Sequence, residues 1–385
     1  MRRTFAGAGL TDIIGVAGGL ALIGYEVLMA RRQAAMSWSS PESSGDKDVK
    51  IDIYNHIFPQ IYFDAMMKVA PAHTDMGKRV RNIPILTDLD IRFRCMDLFG
   101  EYQQILSLAS PPIEVLADAE TSPELARLAN DGMAELCRKY PDRFPGFVAS
   151  LPLNNPEASL AEAERALSEL GARGTQIFSN AAGRPMDEPD FMPLYDLMAA
   201  HDLPIWLHPA RGAKHPDYLG EEKSLYEIWW TFGWPYETSV AMARLVFAGL
   251  FDKHPGLKII THHLGAMVPY FEGRVGPGWD QLGSRTSDQD YGALLDQLEK
   301  RPLDYFKMFY ADSAVFGSAS ATRCGLDFFG ADKVLFASDS PFDPEKGPGY
   351  IRETIAVLDG LGLSPAELEQ IYRGNAVKLL KLEGD

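Results

Sequence analysis

From Val49 onward, short apolar runs alternate with longer segments whose apolar residues recur every three or four positions. This alternation is typical of βα units, in which helices connect parallel strands. Eight runs predict strands, over Lys50–Tyr54, Tyr102–Leu108, Gly146–Leu151, Gly174–Phe178, Pro204–Leu207, Lys258–Thr261, Lys307–Ala311 and Val334–Ala337. The helical pattern is clearest over Pro123–Tyr140, Ser159–Leu170, Pro193–His201 and Ser239–Phe251. Eight such strands predict an α/β fold of the (β/α)8 TIM-barrel class.

Four of the strand-like runs end on a side chain that can bind a metal or carry a proton. IDIYNH ends at His56, LPIWLHP brings His208 to the end of its run, and LKIITHH ends at His263. In KVLFASDSPF the apolar run is followed by Asp339, and Pro341 prevents the strand from continuing. Since parallel barrel strands all end at one face, we expect these four side chains to lie together.

The remaining histidines have weaker contexts. His262 precedes His263, and strand alternation predicts that its side chain points to the opposite side and packs against a helix. The other four, which we expect to be surface or structural residues, are His73, His201, His215 and His254.

Composition narrows the class of protein. The 385 residues exceed one average domain but fit a single barrel with extensions, and 46% hydrophobic residues are ample for a core. A net charge of −16 argues against nucleic-acid binding, because a phosphate backbone would be repelled. Cys95, Cys137 and Cys324 are scattered without CxxC spacing, which favours a reducing compartment.

The N-terminal residues 1–48 differ from the rest and are predicted to be an extension and linker, with the catalytic domain at 49–385. Asp12 and Glu26 interrupt the apolar run, so a spanning helix fits poorly. We expect a cytoplasmic protein. The alternative is export or membrane association, since Arg2 and Arg3 resemble the start of a twin-arginine signal.

A long segment after the fifth predicted strand, Ala210–Pro235, is predicted to be an insertion on the functional face. Its aromatic residues are Tyr218, Tyr226, Trp229, Trp230, Phe232 and Trp234. Loops at this face of a barrel form substrate pockets. We therefore expect this segment, and Trp234 in particular, to contact a small-molecule substrate.

Three stretches together carry a family resemblance: GWPYETSVAMARLVFAGLFDKHPGLK, LKIITHHLGAMVPYFEGRV and VLFASDSPF. In this order they resemble the amidohydrolase superfamily, and more closely the branch of aminocarboxymuconate-semialdehyde decarboxylase and the hydroxybenzoate decarboxylases. The resemblance covers residues 50–382 and ends in the helix IYRGNAVKLL. It implies a distorted TIM barrel with a metal-dependent active site.

The resemblance also implies which residues bind the metal, and this chain departs from the family at one of these positions. The family's first strand carries His-x-His, whereas this chain has Tyr54, Asn55 and His56. His56, His208 and Asp339 are accordingly the implied ligands of one divalent ion, Zn²⁺ or Mn²⁺. Tyr54 is either a fourth ligand or a pocket residue that contacts substrate, and a neutral phenol with a pKa of about 10 is a poor ligand.

Further roles follow from the same resemblance. His263 lies six residues before Pro269, as the family's proton-transferring histidine does, and Asp339 would be both ligand and proton carrier. Arg92 matches an arginine that binds the substrate carboxylate, for which a guanidinium is well shaped. The alternative for Arg92 is an ordinary salt bridge on a helix surface, and Arg94 is a rival for the role.

Three functions are compatible with the residues. The first is a metal-dependent, non-oxidative decarboxylase of a small carboxylated aromatic or enol-like substrate, in aromatic compound catabolism. The second is a metal-dependent hydrolase or hydratase, in which the ion activates a water. The third is a barrel that lost its metal with the change to Tyr54. We favour the first, and expect a homodimer or higher homo-oligomer as in similar proteins.

Overall fold

The strands of the protein are mostly short and parallel. The computed structural model describes residues 49–70, 80–285 and 289–382, so the predicted segment 1–48 and His73 lie outside the described residues. In chain order the strands are β1 Lys50–Ile57, β2 Tyr102–Leu108, β3 Gly146–Phe147, β4 Ala149–Ser150, β5 Thr175–Phe178, β6 Asn180–Ala181, β7 Arg184–Pro185, β8 Ile205–His208, β9 Ile259–Thr261, β10 Tyr310–Asp312 and β11 Val334–Leu335.

The parallel strands form two sheets. One has the order β1-β2-β3, and the other has the order β11-β10-β9-β8-β5-β4. Strands β6 and β7 form a small antiparallel pair. Backbone hydrogen bonds also link β1 to the segment of β11, since Ile53 N donates to Phe336 O at 3.0 Å and Asp339 N donates to Tyr54 O at 3.0 Å. The first and last strands of the domain are therefore neighbours.

Helices connect the strands. They are α1 Gln60–Val69, α2 Leu89–Met96, α3 Ile113–Leu116, α4 Ser122–Lys139, α5 Pro156–Ser168, α6 Met192–His201, α7 Ile228–Thr231, α8 Gly233–Phe247, α9 Leu250–Lys253, α10 Tyr291–Gln297, α11 Pro302–Phe306, α12 Ala319–Phe329, α13 Pro348–Gly360, α14 Pro365–Glu369 and α15 Asn375–Leu380. Short 3-10 turns lie at Pro84–Leu86, Asp97–Phe99, Pro189–Phe191 and Trp279–Gln281, and π turns lie at Arg274–Gly278 and Gln370–Gly374.

Helix α4 illustrates why these segments are helical. Pro123 lies in its first turn, where the missing N–H costs nothing, and Arg138 and Lys139 lie in the last turn, beside its free carbonyl groups. Leu125, Ala129 and Met133 recur at four-residue spacing and are buried. Their packing holds the helix against the sheet.

The predicted elements are recovered with shifted boundaries. The predicted strand Gly146–Leu151 is split, because Val148 N still donates to Leu106 O of β2 whereas Ala149 N donates to Gly174 O, just before β5. The predicted strand Lys307–Ala311 begins too early, since a turn follows α11 at residues 307–309 and β10 spans Tyr310–Asp312. Helix α8 begins at Gly233, within the predicted insertion and six residues before the predicted start at Ser239.

One face of the parallel strands is lined by a separate cluster of buried apolar side chains. It includes Ile53, Ile105, Val148, Trp206, Ile260 and Leu335. Trp206 pairs in register with Ile260 across β8 and β9. Since side chains two residues apart share a face of a strand, His208 and His262 follow these two residues on the same side.

None of the helices in the described ranges combines the length and the apolar character needed to cross a membrane.

Candidate active site

The predicted site residues at the ends of the first and last strands lie together. His56 Nε2 is 2.9 Å from Asp339 Oδ1, although 283 residues separate the two positions. His56 is fully buried and Asp339 is 6% exposed. The β1 segment brings His56 to its C-terminal end, and Asp339 follows β11 with a left-handed φ of 58°. His56 and Asp339 form the centre of a cluster of histidines and carboxylates.

His208 and His262 complete this centre. Their rings stack with centroids 5.2 Å apart and planes 28° from parallel. His262 Nε2 is 3.6 Å from Asp339 Oδ1. The prediction that His262 packs against a helix on the opposite side was therefore wrong. The side chain is fully buried within the site.

The backbone explains why both consecutive histidines face the site. Side chains alternate only while the chain is extended, and β9 ends at Thr261. His263 and Leu264 have φ values of 56° and 51°, in the left-handed region. This turn brings the His263 ring back to the same side, with its centroid 3.6 Å from that of His262.

Each of the three central histidines has a partner at Nδ1. His56 Nδ1 lies 3.2 Å from Ser107 Oγ, His208 Nδ1 lies 2.7 Å from its neighbouring carbonyl at Pro209, and His262 Nδ1 pairs with Asp312 Oδ2. A partner at Nδ1 fixes the ring and leaves Nε2 as the nitrogen that can bind a metal.

Burial and charge set the protonation states. Burial lowers the pKa of His208 well below its ordinary value, and the neighbouring His262 and His56 act in the same direction. Burial also lowers the pKa of His263, with a further contribution from His262. Both rings are therefore favoured in the neutral form that binds metals and accepts protons.

The carboxylates of Asp339 and Asp312 are both buried, and they favour positive charge on the groups beside them. Burial alone would raise the pKa of Asp339, but the neighbouring rings of His262, His263 and His56 hold the pKa of that carboxyl well below its usual range. Burial lowers the pKa of His262, yet the Asp312 and Asp339 carboxylates together outweigh burial and raise it to about 9. Asp339 and Asp312 thus make the centre of the cluster favourable for a cation.

The Tyr54 ring packs against the rings of His56 and His262. Its side chain is 1% exposed, and its ring centroid is 4.4 Å from that of His262 and 5.2 Å from that of His56. The hydroxyl donates a hydrogen bond to Gln176 Oε1 at 3.0 Å. Burial, together with Asp312 and Asp339, raises the pKa of Tyr54 well above its ordinary value. This position supports neither a phenolate ligand nor the predicted contact with substrate.

Arg92 lies outside the pocket. It is 1% exposed, and its guanidinium donates to the carbonyls of His56 and Ile85 and to the side-chain oxygens of Asn55 and Gln104. These acceptors use the donors that a substrate carboxylate would need. Arg92 thus holds the end of β1 in place, and its predicted contact with a substrate carboxylate stays a prediction. Its rival Arg94 is exposed on the same helix.

A pocket of about 230 Å³ opens over the cluster. His208, His263 and Asp339 line its floor, and Trp234 lies in its wall, with its ring 5.8 Å from that of His208. Further lining residues are Ser110, Trp230, Thr231, Pro235, Ala266, Val315, Phe316, Phe342 and Tyr350. This set is largely apolar and contains no lysine or arginine.

The cluster fits a divalent metal. Potential ligand atoms of His56, His208 and His262 lie within 4.8 Å of one another, and so do those of His262, His263 and Asp339. His262 Nε2 is buried without a hydrogen-bond partner among the described residues. An unpaired buried polar atom costs about 1–3 kcal/mol, so a ligand at this nitrogen would be stabilising.

Sequence reasoning missed Asp312, Ser107 and Gln176. Asp312 could have been found, because FYAD is one more apolar run that ends on a carboxylate, as LFASD does. The predicted strand stopped one residue short of it. Ser107 and Gln176 carry no comparable signal, because a polar residue within a strand is common.

Comparisons with known proteins identify a family and similar chains. The family model described as Amidohydrolase matches residues 86–382. Gamma-resorcylate decarboxylase of Polaromonas sp. is 34% identical over 310 residues, which cover 76% of this chain and 87% of that protein. The 2-amino-3-carboxymuconate-6-semialdehyde decarboxylase of Dictyostelium discoideum is 27% identical over 354 residues, which cover 88% of this chain and 93% of that one.

A solved structure is similar over most of the chain. It is the crystal structure of dihydroxybenzoic acid decarboxylase from Polaromonas sp., with bound manganese and the inhibitor 2-nitroresorcinol. The two chains share 29% identity with a TM-score of 0.71, covering 88% of this chain and 98% of the other.

Proposed function

Because the chain belongs to the amidohydrolase family, we propose that it is a metal-dependent, non-oxidative decarboxylase of a small carboxylated aromatic compound. One observation carries this proposal: a cluster of histidines and Asp339 forms the floor of a pocket whose walls are aromatic. The relatives named as decarboxylases of aromatic acids support it.

The proposal includes a complete (β/α)8 barrel of residues 49–385 with residues 1–48 as an extension. Support comes from the parallel sheets and from the hydrogen bonds between β1 and the β11 segment, which would close the ring of strands. The similar fold of the Polaromonas enzyme agrees with this. In such a barrel the C-terminal strand ends carry the chemistry.

In this proposal His56, His208 and Asp339 hold one Mn²⁺ or Zn²⁺ ion. Mixed nitrogen and oxygen ligands suit either ion. When bound, a divalent ion supplies positive charge that orients the substrate carboxylate and a neighbouring oxygen. The pocket-lining residues include no lysine or arginine, so this charge matters for an anionic substrate.

The pocket walls select and shield the ring. Trp230, Trp234, Phe316, Phe342 and Tyr350 present apolar surface, against which a flat aromatic ring packs well. A volume of about 230 Å³ has room for a single substituted ring. The same surface limits water near the reacting carbon, which favours decarboxylation over hydrolysis.

His263 and Asp339 carry the proton in this proposal. His263 lines the pocket, its two ring nitrogens lack hydrogen-bond partners among the described residues, and Nε2 lies 3.8 Å from Asp339 Oδ2. A proton taken from solvent and held between His263 and Asp339 moves to the ring carbon that bears the carboxylate. The bond between that carbon and the carboxylate then breaks, its electron pair stays with the ring, and CO₂ leaves. Solvent supplies the next proton to His263 and Asp339.

We also propose that the protein forms homodimers or higher homo-oligomers, on the basis of the family alone. Light scattering coupled to gel filtration measures this directly. A monomer at micromolar concentration contradicts it.

The function is tested with a panel of carboxylated aromatics that includes 2,6-dihydroxybenzoate, incubated with Mn²⁺-loaded protein in D₂O. Decarboxylation predicts CO₂ and a product with one deuterium on the carbon that lost the carboxylate. Products that gain the elements of water, with no CO₂ released, would establish the hydrolase or hydratase alternative and overturn the proposal.

A further inference from the structure

Apart from His56, β1 offers no donor for the fourth ligand position of the metal centre in this chain. Where this chain has Tyr54, the family resemblance implies a histidine, or a glutamate in some relatives, and the Tyr54 hydroxyl donates a hydrogen bond to Gln176 Oε1 at 3.0 Å. Its ring packs edge-on against His262 and His208. Tyr54 therefore occupies the space of the missing ligand without presenting a free donor atom.

His262 provides a donor in the same place. It follows β9, the strand next to β8, and it faces His208 across the pair. Its Nε2 lies 3.6 Å from Asp339 Oδ1, the same oxygen that His56 Nε2 approaches at 2.9 Å. Two imidazoles thus approach one carboxylate oxygen, and potential ligand atoms of His56, His208 and His262 lie within 4.8 Å of one another.

The hydrogen bonding of His262 is that of a metal ligand. Nδ1 pairs with the buried Asp312 carboxylate, which fixes the ring and makes it more basic. Nε2 is fully buried and, within the described ranges, meets no hydrogen-bond partner. A histidine that only packed in the core would satisfy both nitrogens, since buried polar groups are rarely left unpaired.

We propose that His262 Nε2 is a metal ligand, so that the ion is held by His56, His208, His262 and Asp339. The chain thereby takes its fourth ligand from the residue after β9 in place of a second ligand from β1, and Asp312 positions this ligand. This inference rests on the proposed function in one respect: both require a bound divalent ion.

The test measures metal binding without turnover. Mn²⁺ is titrated into chelator-treated protein while electron paramagnetic resonance records the free aqua ion, and zinc X-ray absorption on Zn²⁺-loaded protein counts imidazoles. Wild type should bind one Mn²⁺ and show three imidazoles. His262→Gln should weaken Mn²⁺ binding at least about tenfold and show two.

Two controls are matched to this variant. His215→Gln changes an exposed histidine outside the pocket and should keep Mn²⁺ affinity. Tyr54→Phe should also keep the ion. Circular dichroism melting of each variant reports whether it is folded.

The double variant Tyr54→His with His262→Ala keeps the inference falsifiable even if His262→Gln folds poorly. It returns the β1 ligand and should recover the three-imidazole signal. Wild-type affinity in a folded His262→Gln variant, or loss of the ion in Tyr54→Phe, overturns this inference alone. A wild-type chain that binds no Mn²⁺ or Zn²⁺ overturns both this inference and the proposed function.

Discussion

His56 Nε2 lies 2.9 Å from Asp339 Oδ1, which joins the end of the first strand to the end of the last across 283 residues. The contact forms only when the strands between them are in place. The site is therefore a product of the whole fold, and either residue alone would carry no chemistry. Asp339 also faces the pocket, so it links the metal centre to the substrate.

Replacing Asp339 by asparagine should abolish most activity. Asparagine keeps the shape but removes the charge that favours a cation and the exchangeable proton. We expect kcat/KM to fall by at least about 10³-fold, in the range that loss of an acid–base group produces. The control is His215→Ala, an exposed histidine outside the pocket. Equal rates for the two variants would remove Asp339 from the mechanism.

Replacing Trp234 by alanine should weaken substrate binding. The indole forms part of the pocket wall and is fixed by a hydrogen bond from Nε1 to Arg211 O at 3.1 Å. We expect KM to rise about tenfold, equivalent to about 1.4 kcal/mol. Tyr236→Ala, on the same helix and 55% exposed, is the control and should leave KM unchanged. An unchanged KM in Trp234→Ala would place substrate elsewhere.

Replacing Arg92 by methionine should destabilise the fold more than it affects KM. Four buried oxygen acceptors lose their donor, and each unpaired group costs about 1–3 kcal/mol. We expect the free energy of unfolding to fall by about 3 kcal/mol or more in urea titrations. The exposed Arg94→Met should change it by less than about 0.5 kcal/mol. A stable Arg92→Met variant with a raised KM would restore the carboxylate-binding role.

Glu114 should make stability depend on pH. It is 6% exposed, both side-chain oxygens lack partners among the described residues, and burial raises its pKa from 4.5 to about 8. Between these values the unfolded chain ionises the carboxyl while the folded chain keeps the proton. Folding therefore loses stability as pH rises through this window, by up to about 1.4 kcal/mol per pH unit.

Glu114→Gln removes that proton linkage. Relative to wild type, the variant should gain unfolding free energy between pH 5 and pH 8 in denaturant titrations. Glu135→Gln, an exposed change on α4, is the control and should follow wild type. A constant difference between Glu114→Gln and wild type across this range would show that Glu114 is ionised in the fold.

The strand ends were predictable from sequence because an apolar run followed by a polar ligand is a local signal. His56, His208, His263 and Asp339 were identified in this way and do lie together. The side of His262 was predicted wrongly because it was taken as opposite to that of His263. The left-handed turn at His263, after the end of β9, breaks the alternation between the two side chains. The pairing of Trp206 with Ile260, which only the structure shows, gives the correct side of the strand for the His262 side chain.

The Arg92 role could not be judged from sequence. An arginine on a short helix has the same local pattern whether it points to solvent, to substrate or into the core. Its four acceptors come from the segments around Asn55, Ile85 and Gln104, which only the folded chain brings together. Buried polar networks of this kind depend on tertiary contacts and leave no periodic trace.

The most direct measurement of the central claim is metal-dependent CO₂ release. Chelator-treated protein is mixed with a carboxyl-¹³C-labelled aromatic acid, such as 2,6-dihydroxybenzoate, and ¹³CO₂ is followed by mass spectrometry as Mn²⁺ or Zn²⁺ is added. We predict that release stops on metal removal and returns in proportion to bound ion, reaching its maximum at one ion per chain. Release that is unaffected by metal removal, or no release from any aromatic acid by fully metal-loaded protein, would contradict the account.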